Sequence, residues 1–168
     1  MGRRSDIDGR ELLLEAALRL FATHEMDAVS IRAINREAGL GPASVHYHFG
    51  TKDALVDAVL NTYGDSVIGA VQARAREIAR SQEPTDARDL VLMLAQPYVD
   101  LLATHTEAGH FWVRLVSQLV QSDPTLILDL PSAKLTWRAA ARVYPDASPA
   151  SVERAMRLCF TLLVTQLA

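Results

Sequence analysis

Ser44, His46, Tyr47, Thr51 and Lys52 stand close together in the stretch GPASVHYHFGTK, residues 41–52. Their chemistry is that of hydrogen bonding to a polyanion. Ser44 can donate to or accept from a base or a phosphate, and Ala43 beside it is small enough to touch a thymine methyl. His46 and Tyr47 are long enough to reach base edges or phosphates. Thr51 and Lys52 combine backbone N–H groups at a helix start with an ammonium, which suits a phosphate on two counts. Arg3 and Arg4 are expected on a flexible arm able to follow the backbone or enter a minor groove. Arg32 joins them as a further candidate DNA contact.

Other chemistries fit less well. His46 and His48 are two apart, so on a helix they point to different sides and do not readily share one metal ion. No nucleophile–base pair, no His–Glu metal spacing and no phosphate-binding glycine loop stands out, so neither an enzyme, a metal nor a cofactor is expected. Gly39-Leu-Gly41 lacks the preceding strand that a nucleotide site needs. The single Cys159 cannot form an internal disulfide; it lies in an apolar run and reads as a buried, inert thiol.

The elements that position the first cluster are short. A helix is expected over residues 9–24, with Leu13, Ala17, Leu20 and Phe21 on one face. Ser30 reads as the N-cap of a second, brief helix whose apolar side is Ile31, Ile34 and Ala38, stopped by Gly39 in the left-handed conformation. Pro42 suits the first turn of a third helix, which Gly50 ends. Leu40, Val45 and Phe49 can pack back on Ile34, Ala38 and the first helix. Two short helices meeting at a glycine turn form a helix-turn-helix, the second helix entering a major groove about 12 Å wide.

Strand signals are nearly absent, and helical periodicity continues to the end of the chain. Thr51 caps a fourth helix reaching about residue 80; Gly64 and Gly69 each weaken it by roughly 1 kcal/mol relative to alanine, so a bend is expected. A loop at 81–86 leads to a fifth helix over 87–104, kinked by Pro97. Further helices are expected over 107–121 and 131–143, and from the Ser148-Pro149 start signal to the last residue. The 168 residues, 49% apolar and 22% charged, suit a globular all-α protein. Its expected units are a three-helix DNA-binding domain, residues 1–51, and a helical ligand-binding and dimerisation domain, residues 52–168. No run is apolar enough to span a bilayer and no secretory leader is evident, so a cytosolic setting is the default.

Net charge is −3, and within the first sixty residues Asp and Glu outnumber Arg and Lys. A DNA-binding function therefore rests on where charges sit and not on their sum.

The N-terminal third resembles the TetR family of bacterial transcriptional regulators. The resemblance is carried by LEAALRLF at 14–21, VSIRAI at 29–34, REAG at 36–39 and VHYHFGTK at 45–52, followed by DAL. It implies a role in DNA contact for Ser44, His46, Tyr47 and Lys52. Three positions depart from the family's habit: Glu25 where glycine is usual, Asn35 where alanine is common, and Pro42 where a basic or polar residue is frequent. Asn35 faces solvent or hydrogen-bonds locally; buried and unpaired, it would cost about 1–3 kcal/mol.

Beyond residue 52, aromatic and flexible side chains recur. Each fits simple core packing; together they suggest a ligand cavity between helices, lined by Tyr63, Met93, Tyr98, His110, Phe111, Trp112, Leu115 and Trp137, with Gln118 and Arg114 as further polar groups. The family resemblance implies the same region for a small-molecule effector, and a homodimer. The last helix carries Val152, Ala155, Met156, Cys159, Leu162 and Leu163, a broad apolar band expected to pair two copies. The leading expectation is a regulator, most simply a repressor released from a palindromic operator by a small apolar or amphipathic molecule. The alternative is a sensor or adaptor of the same fold that acts through protein contacts.

Overall fold

The computed structural model describes residues 2–104, 106–123, 125 and 133–168, with side chains from residue 8 onward. Among these residues all regular structure is helical. The helices are α1 (Gly2–Thr23), α2 (Ile31–Glu37), α3 (Ser44–Phe49), α4 (Lys52–Arg80), α5 (Ala87–Ala103), α6 (Glu107–Ser122), α7 (Ala133–Val143) and α8 (Pro149–Leu167), with a 3-10 turn at Met26–Ala28.

Side-chain caps set most of the starts. Ser30 accepts from the Ala33 amide at 3.2 Å, Thr51 from Ala54 at 3.1 Å, Thr106 from Gly109 at 3.2 Å and Ser148 from Ser151 at 3.2 Å. Each satisfies an amide that the helix itself leaves unpaired. Asp86 and Asp89 form a reciprocal capping box at the start of α5. Gly39 (φ +67°) and Gly50 (φ +78°) stop α2 and α3 in a backbone region that a Cβ disfavours.

Several boundaries differ from expectation. α1 begins at Gly2 and not near residue 9, so Arg3 and Arg4 belong to a helix rather than to a flexible arm; their side chains lie outside the described ones. Pro42 precedes α3 instead of sitting in its first turn. Gly64 and Gly69 lie inside one helix α4 and Pro97 inside one helix α5, as the expected spans have them. The helix expected from residue 131 is described from Ala133.

Leu13, Ala17 and Phe21 of α1 are fully buried, as are Ile34, Val45, Leu55 and Val59. Burying side chains of this size contributes roughly 1.5–3 kcal/mol each. The apolar core is contiguous from Leu13 to Val164 and crosses residue 52 without a break. α1 packs on α2, α4 and α6, while α4 packs on α5 and α7, and α6 on α8. None of the described helices is long and apolar enough to cross a membrane.

Candidate functional site

The turn between α2 and α3 is held by one buried side chain. Asn35, 2% exposed, donates from Nδ2 to the Pro42 carbonyl at 2.7 Å, and its Oδ1 accepts from the Val45 amide at 3.1 Å. Its own carbonyl accepts from Leu40 N at 2.9 Å. Ala43, the residue at the N-cap of α3, has no side chain able to cap, so Asn35 caps that helix from α2. Of the two placements open to Asn35 from sequence, the local hydrogen bond is the one realised, in a buried setting.

With Val45 fully buried against the core, its neighbours turn outward. Ala43 and His46 are exposed, Ser44 is half-buried, and Tyr47 is 71% exposed. His46 donates from Nδ1 to the Gly50 carbonyl at 2.8 Å, which leaves Nε2 as an acceptor in the neutral ring. His48 turns the other way, its half-buried ring set edge-on to Tyr47 at 4.9 Å and close over Gly9, where a Cβ would lie 3.3 Å from Nε2. The two histidines thus have separate settings, and no group of three metal-ligating side chains forms among the described residues. Arg32 and Thr51 are exposed. Lys52 is half-buried: its ammonium donates to the Met26 carbonyl at 2.5 Å and lies 5.8 Å from the Phe21 ring centre. Two of its N–H groups stay available beside the start of α4.

A second feature lies among α4–α8. A cavity of about 70 Å³ is lined by Leu60, Val67, Ile68 and Val71 of α4, Leu94 and Tyr98 of α5, and Trp112 and Val116 of α6. Ala133, Thr136 and Trp137 of α7 and Met156 and Phe160 of α8 also line it. Of the residues expected there, Tyr98, Trp112 and Trp137 are in the wall. Tyr63, Met93, Phe111 and Leu115 are not; Met93 and Leu115 are fully buried in the core, and Tyr63 and Phe111 are half-buried against it. His110 and Arg114 are exposed, the His110 ring bonded to the Thr106 carbonyl at 2.9 Å.

α6 grips both neighbours. Trp112 donates from Nε1 to the Leu60 carbonyl at 3.1 Å, and its indole fills the space over Gly64, where a Cβ would lie 2.2 Å from Cζ2. Oriented with its NH₂ toward α1, the Gln118 amide donates to the Phe21 carbonyl at 3.1 Å and to the His24 carbonyl at 3.3 Å. It thereby serves carbonyls that the end of α1 leaves unpaired; it joins α6 to α1 instead of lining the cavity.

Residues 13–59, which contain α2 and α3, match the family described as bacterial regulatory proteins, tetR family. The N-terminal segment, residues 13–59, is thus a TetR-family segment. The chain is 27% identical over 100 residues to the HTH-type transcriptional regulator UidR of Escherichia coli K12, a match covering 60% of this chain and 45% of that one. It is 30% identical over 105 residues to the HTH-type transcriptional repressor KstR2 of Rhodococcus jostii RHA1, covering 62% and 46%. The chain spans about half the length of these curated relatives. A crystal structure of a TetR-family regulator from Streptomyces coelicolor aligns over 98% of this chain and 99% of that one at 21% identity, with a TM-score of 0.49.

The apolar band of α8 divides between two faces. Val152 and Met156 are buried in the protomer's own core, so they do not offer a surface to a partner. Ala155, Cys159 and Leu162 are exposed and Leu163 is half-buried; exposed Leu158 continues the outer face. Cys159 is therefore an exposed thiol and not the buried one expected. The aliphatic wall contributed by α4 carries no aromatic or polar residue that would mark it in the sequence. Gly64 was the available signal, since a mid-helix glycine needs a reason and here the reason is Trp112.

Proposed function

We propose that the protein is a DNA-binding transcriptional regulator, most simply a repressor, that binds a palindromic operator as a homodimer in the cytoplasm and lets go when a small apolar or amphipathic effector enters the cavity. The observation that carries this reading is the division of α3: Val45 fully buried, with Ala43, His46 and Tyr47 turned to solvent on a helix fixed by Asn35. That arrangement suits a helix laid in a major groove, with Ser44 and Tyr47 at base edges and Thr51 and Lys52 at a phosphate. The names of the relatives support a regulator or repressor. The outward face of α8, with Ala155, Leu158, Cys159 and Leu162, supports pairing of two copies.

The cavity supports the switch through its size. An apolar cavity of roughly 150 Å³ holds one benzene; at about 70 Å³ this one must widen to take even a single ring. Four of its wall residues are on α4, whose first turn packs beside α3. Widening would shift α4 and change the separation of two recognition helices, which must match half-sites about 34–36 Å apart or a multiple of it. Coupling of about 1–3 kcal/mol is typical of such devices.

The test is a titration of the palindrome upstream of the protein's own gene over a range of salt, with two chains expected per site. Tyr47→Ala is expected to lower affinity by ~1–3 kcal/mol, as for loss of a base contact, measured at a temperature where thermal unfolding shows the variant folded, since the ring also packs edge-on against His48. Lys52→Ala is expected to reduce the slope of log K against log salt by about one. An unchanged slope rules out a phosphate contact at Lys52. Binding that is absent or insensitive to salt moves the assignment to a sensor or adaptor acting through protein contacts.

A further inference from the structure

We propose that the effector is a neutral, largely apolar molecule carrying an acceptor oxygen that takes a hydrogen bond from the Tyr98 hydroxyl. This deepens the regulator reading above and rests on it for the name effector, though not for the binding itself.

Among the described residues the wall holds no Asp, Glu, Lys, Arg or His side chain. Its polar groups are few, and most are already engaged. The Thr136 hydroxyl donates to the Ala133 carbonyl at 2.7 Å, and Trp112 Nε1 donates to the Leu60 carbonyl. Trp137 is half-buried, so its indole N–H is not withdrawn from water to the same degree. Tyr98 is different. It is 4% exposed, it lines the cavity, and its hydroxyl makes no hydrogen bond to any described residue. Its oxygen keeps some accessible surface, and a ligand acceptor that replaces water there adds the net worth of one hydrogen bond, about 0.5–1.5 kcal/mol.

Charge does not fit the same wall. A carboxylate or ammonium taken into it would lose its hydration without a counter-ion, a penalty of several kcal/mol. The setting of Tyr98 agrees: its phenol pKa is pushed up by burial, with no neighbouring charge contributing. Nor do the rings form a cage for a cation. A cage presents ring faces to the ion within about 6 Å, whereas Tyr98 packs against Trp112 at 5.7 Å and against Phe160 at 6.0 Å, so the rings cover one another.

The chain has 2 tryptophans, Trp112 and Trp137, and both are in the wall, so intrinsic fluorescence of the full chain reports on this cavity. Four probes of one ring size decide the matter: cyclopentanone, methylcyclopentane, cyclopentanecarboxylate and cyclopentyltrimethylammonium. Cyclopentanone is expected to bind at least ~tenfold more tightly than either charged probe, since a penalty of even 1.4 kcal/mol gives that factor. Tyr98→Phe is expected to lower the affinity for the ketone ~3- to 10-fold relative to that for the hydrocarbon, the worth of one hydrogen bond. The proposal is overturned by a charged probe that binds as tightly as the ketone, by an unchanged ketone-to-hydrocarbon ratio in Tyr98→Phe, or by no response to any probe. Should Tyr98→Phe fail to fold, the comparison of ketone and charged probes on the parent chain decides alone. The titrations contain no DNA. A chain that takes up the ketone but binds no operator refutes the regulator reading only; one that binds operator and prefers the ammonium refutes this one only.

Discussion

Gly64→Ala lowers the stability of the chain, although alanine in an open helix position normally raises it by about 1 kcal/mol. The added Cβ would lie 2.2 Å from Trp112 Cζ2, 2.6 Å from Cε2 and 2.9 Å from Nε1. The indole is rigid, 2% exposed, hydrogen-bonded to the Leu60 carbonyl on one side and packed against Tyr98 on the other. It has no direction in which to yield cheaply, and overpacking of this kind costs typically 1–3 kcal/mol. The expected net change is a loss, read as a fall in melting temperature of about 2–4 °C for each kcal/mol in a chain of this size. Gly69 on the same helix is the control. It is exposed and a Cβ there meets nothing within 4 Å, so Gly69→Ala is expected to raise the melting temperature slightly. A Gly64→Ala protein that melts as high as the Gly69→Ala protein would mean that Trp112 does not occupy the notch.

Asn35→Ala has the second large effect. It removes the acceptor of the Val45 amide and the donor to the Pro42 carbonyl together. Pro42 is exposed, so water can serve its carbonyl; Val45 is fully buried, so its amide stays unpaired. The orphaned amide, which is the lost helix cap, costs about 1–3 kcal/mol. The loss of DNA affinity should exceed what this destabilisation alone explains, because the start of α3, where Ala43 and Ser44 sit, is what Asn35 fixes. Asn35→Asp keeps the acceptor for Val45 but sets a carboxylate against the Pro42 carbonyl, so an intermediate loss is expected. Urea unfolding of the three proteins checks this; coincident midpoints would show that the cap contributes nothing.

The sequence was most legible where structure is set locally. Ser30, Thr51 and Ser148 announce helix starts because a cap acts across three residues, and Gly39 and Gly50 announce stops because the left-handed turn needs no distant partner. It was less legible where the partner is remote. Pro42 reads as part of α3 in the sequence, whereas the cap that starts α3 two residues later comes from Asn35 on another helix. On α8 the apolar residues are too many for periodicity to say which face turns inward; the rest of the bundle decides that Val152 and Met156 are core while Cys159 and Leu162 are not. The cavity wall was only partly read, through Tyr98, Trp112 and Trp137, since aliphatic residues of α4 look alike whether they border a void or another side chain.

The two attachments made by α6 constrain how motion can travel. Trp112 is seated on α4 and Gln118 on the end of α1, so one helix ties these two elements at separated points. A single attachment would act as a pivot and let them swing freely; two points fix their bearing. If α6 moves, Tyr47 and its neighbours are expected to be steered as on a bracket and to turn with it.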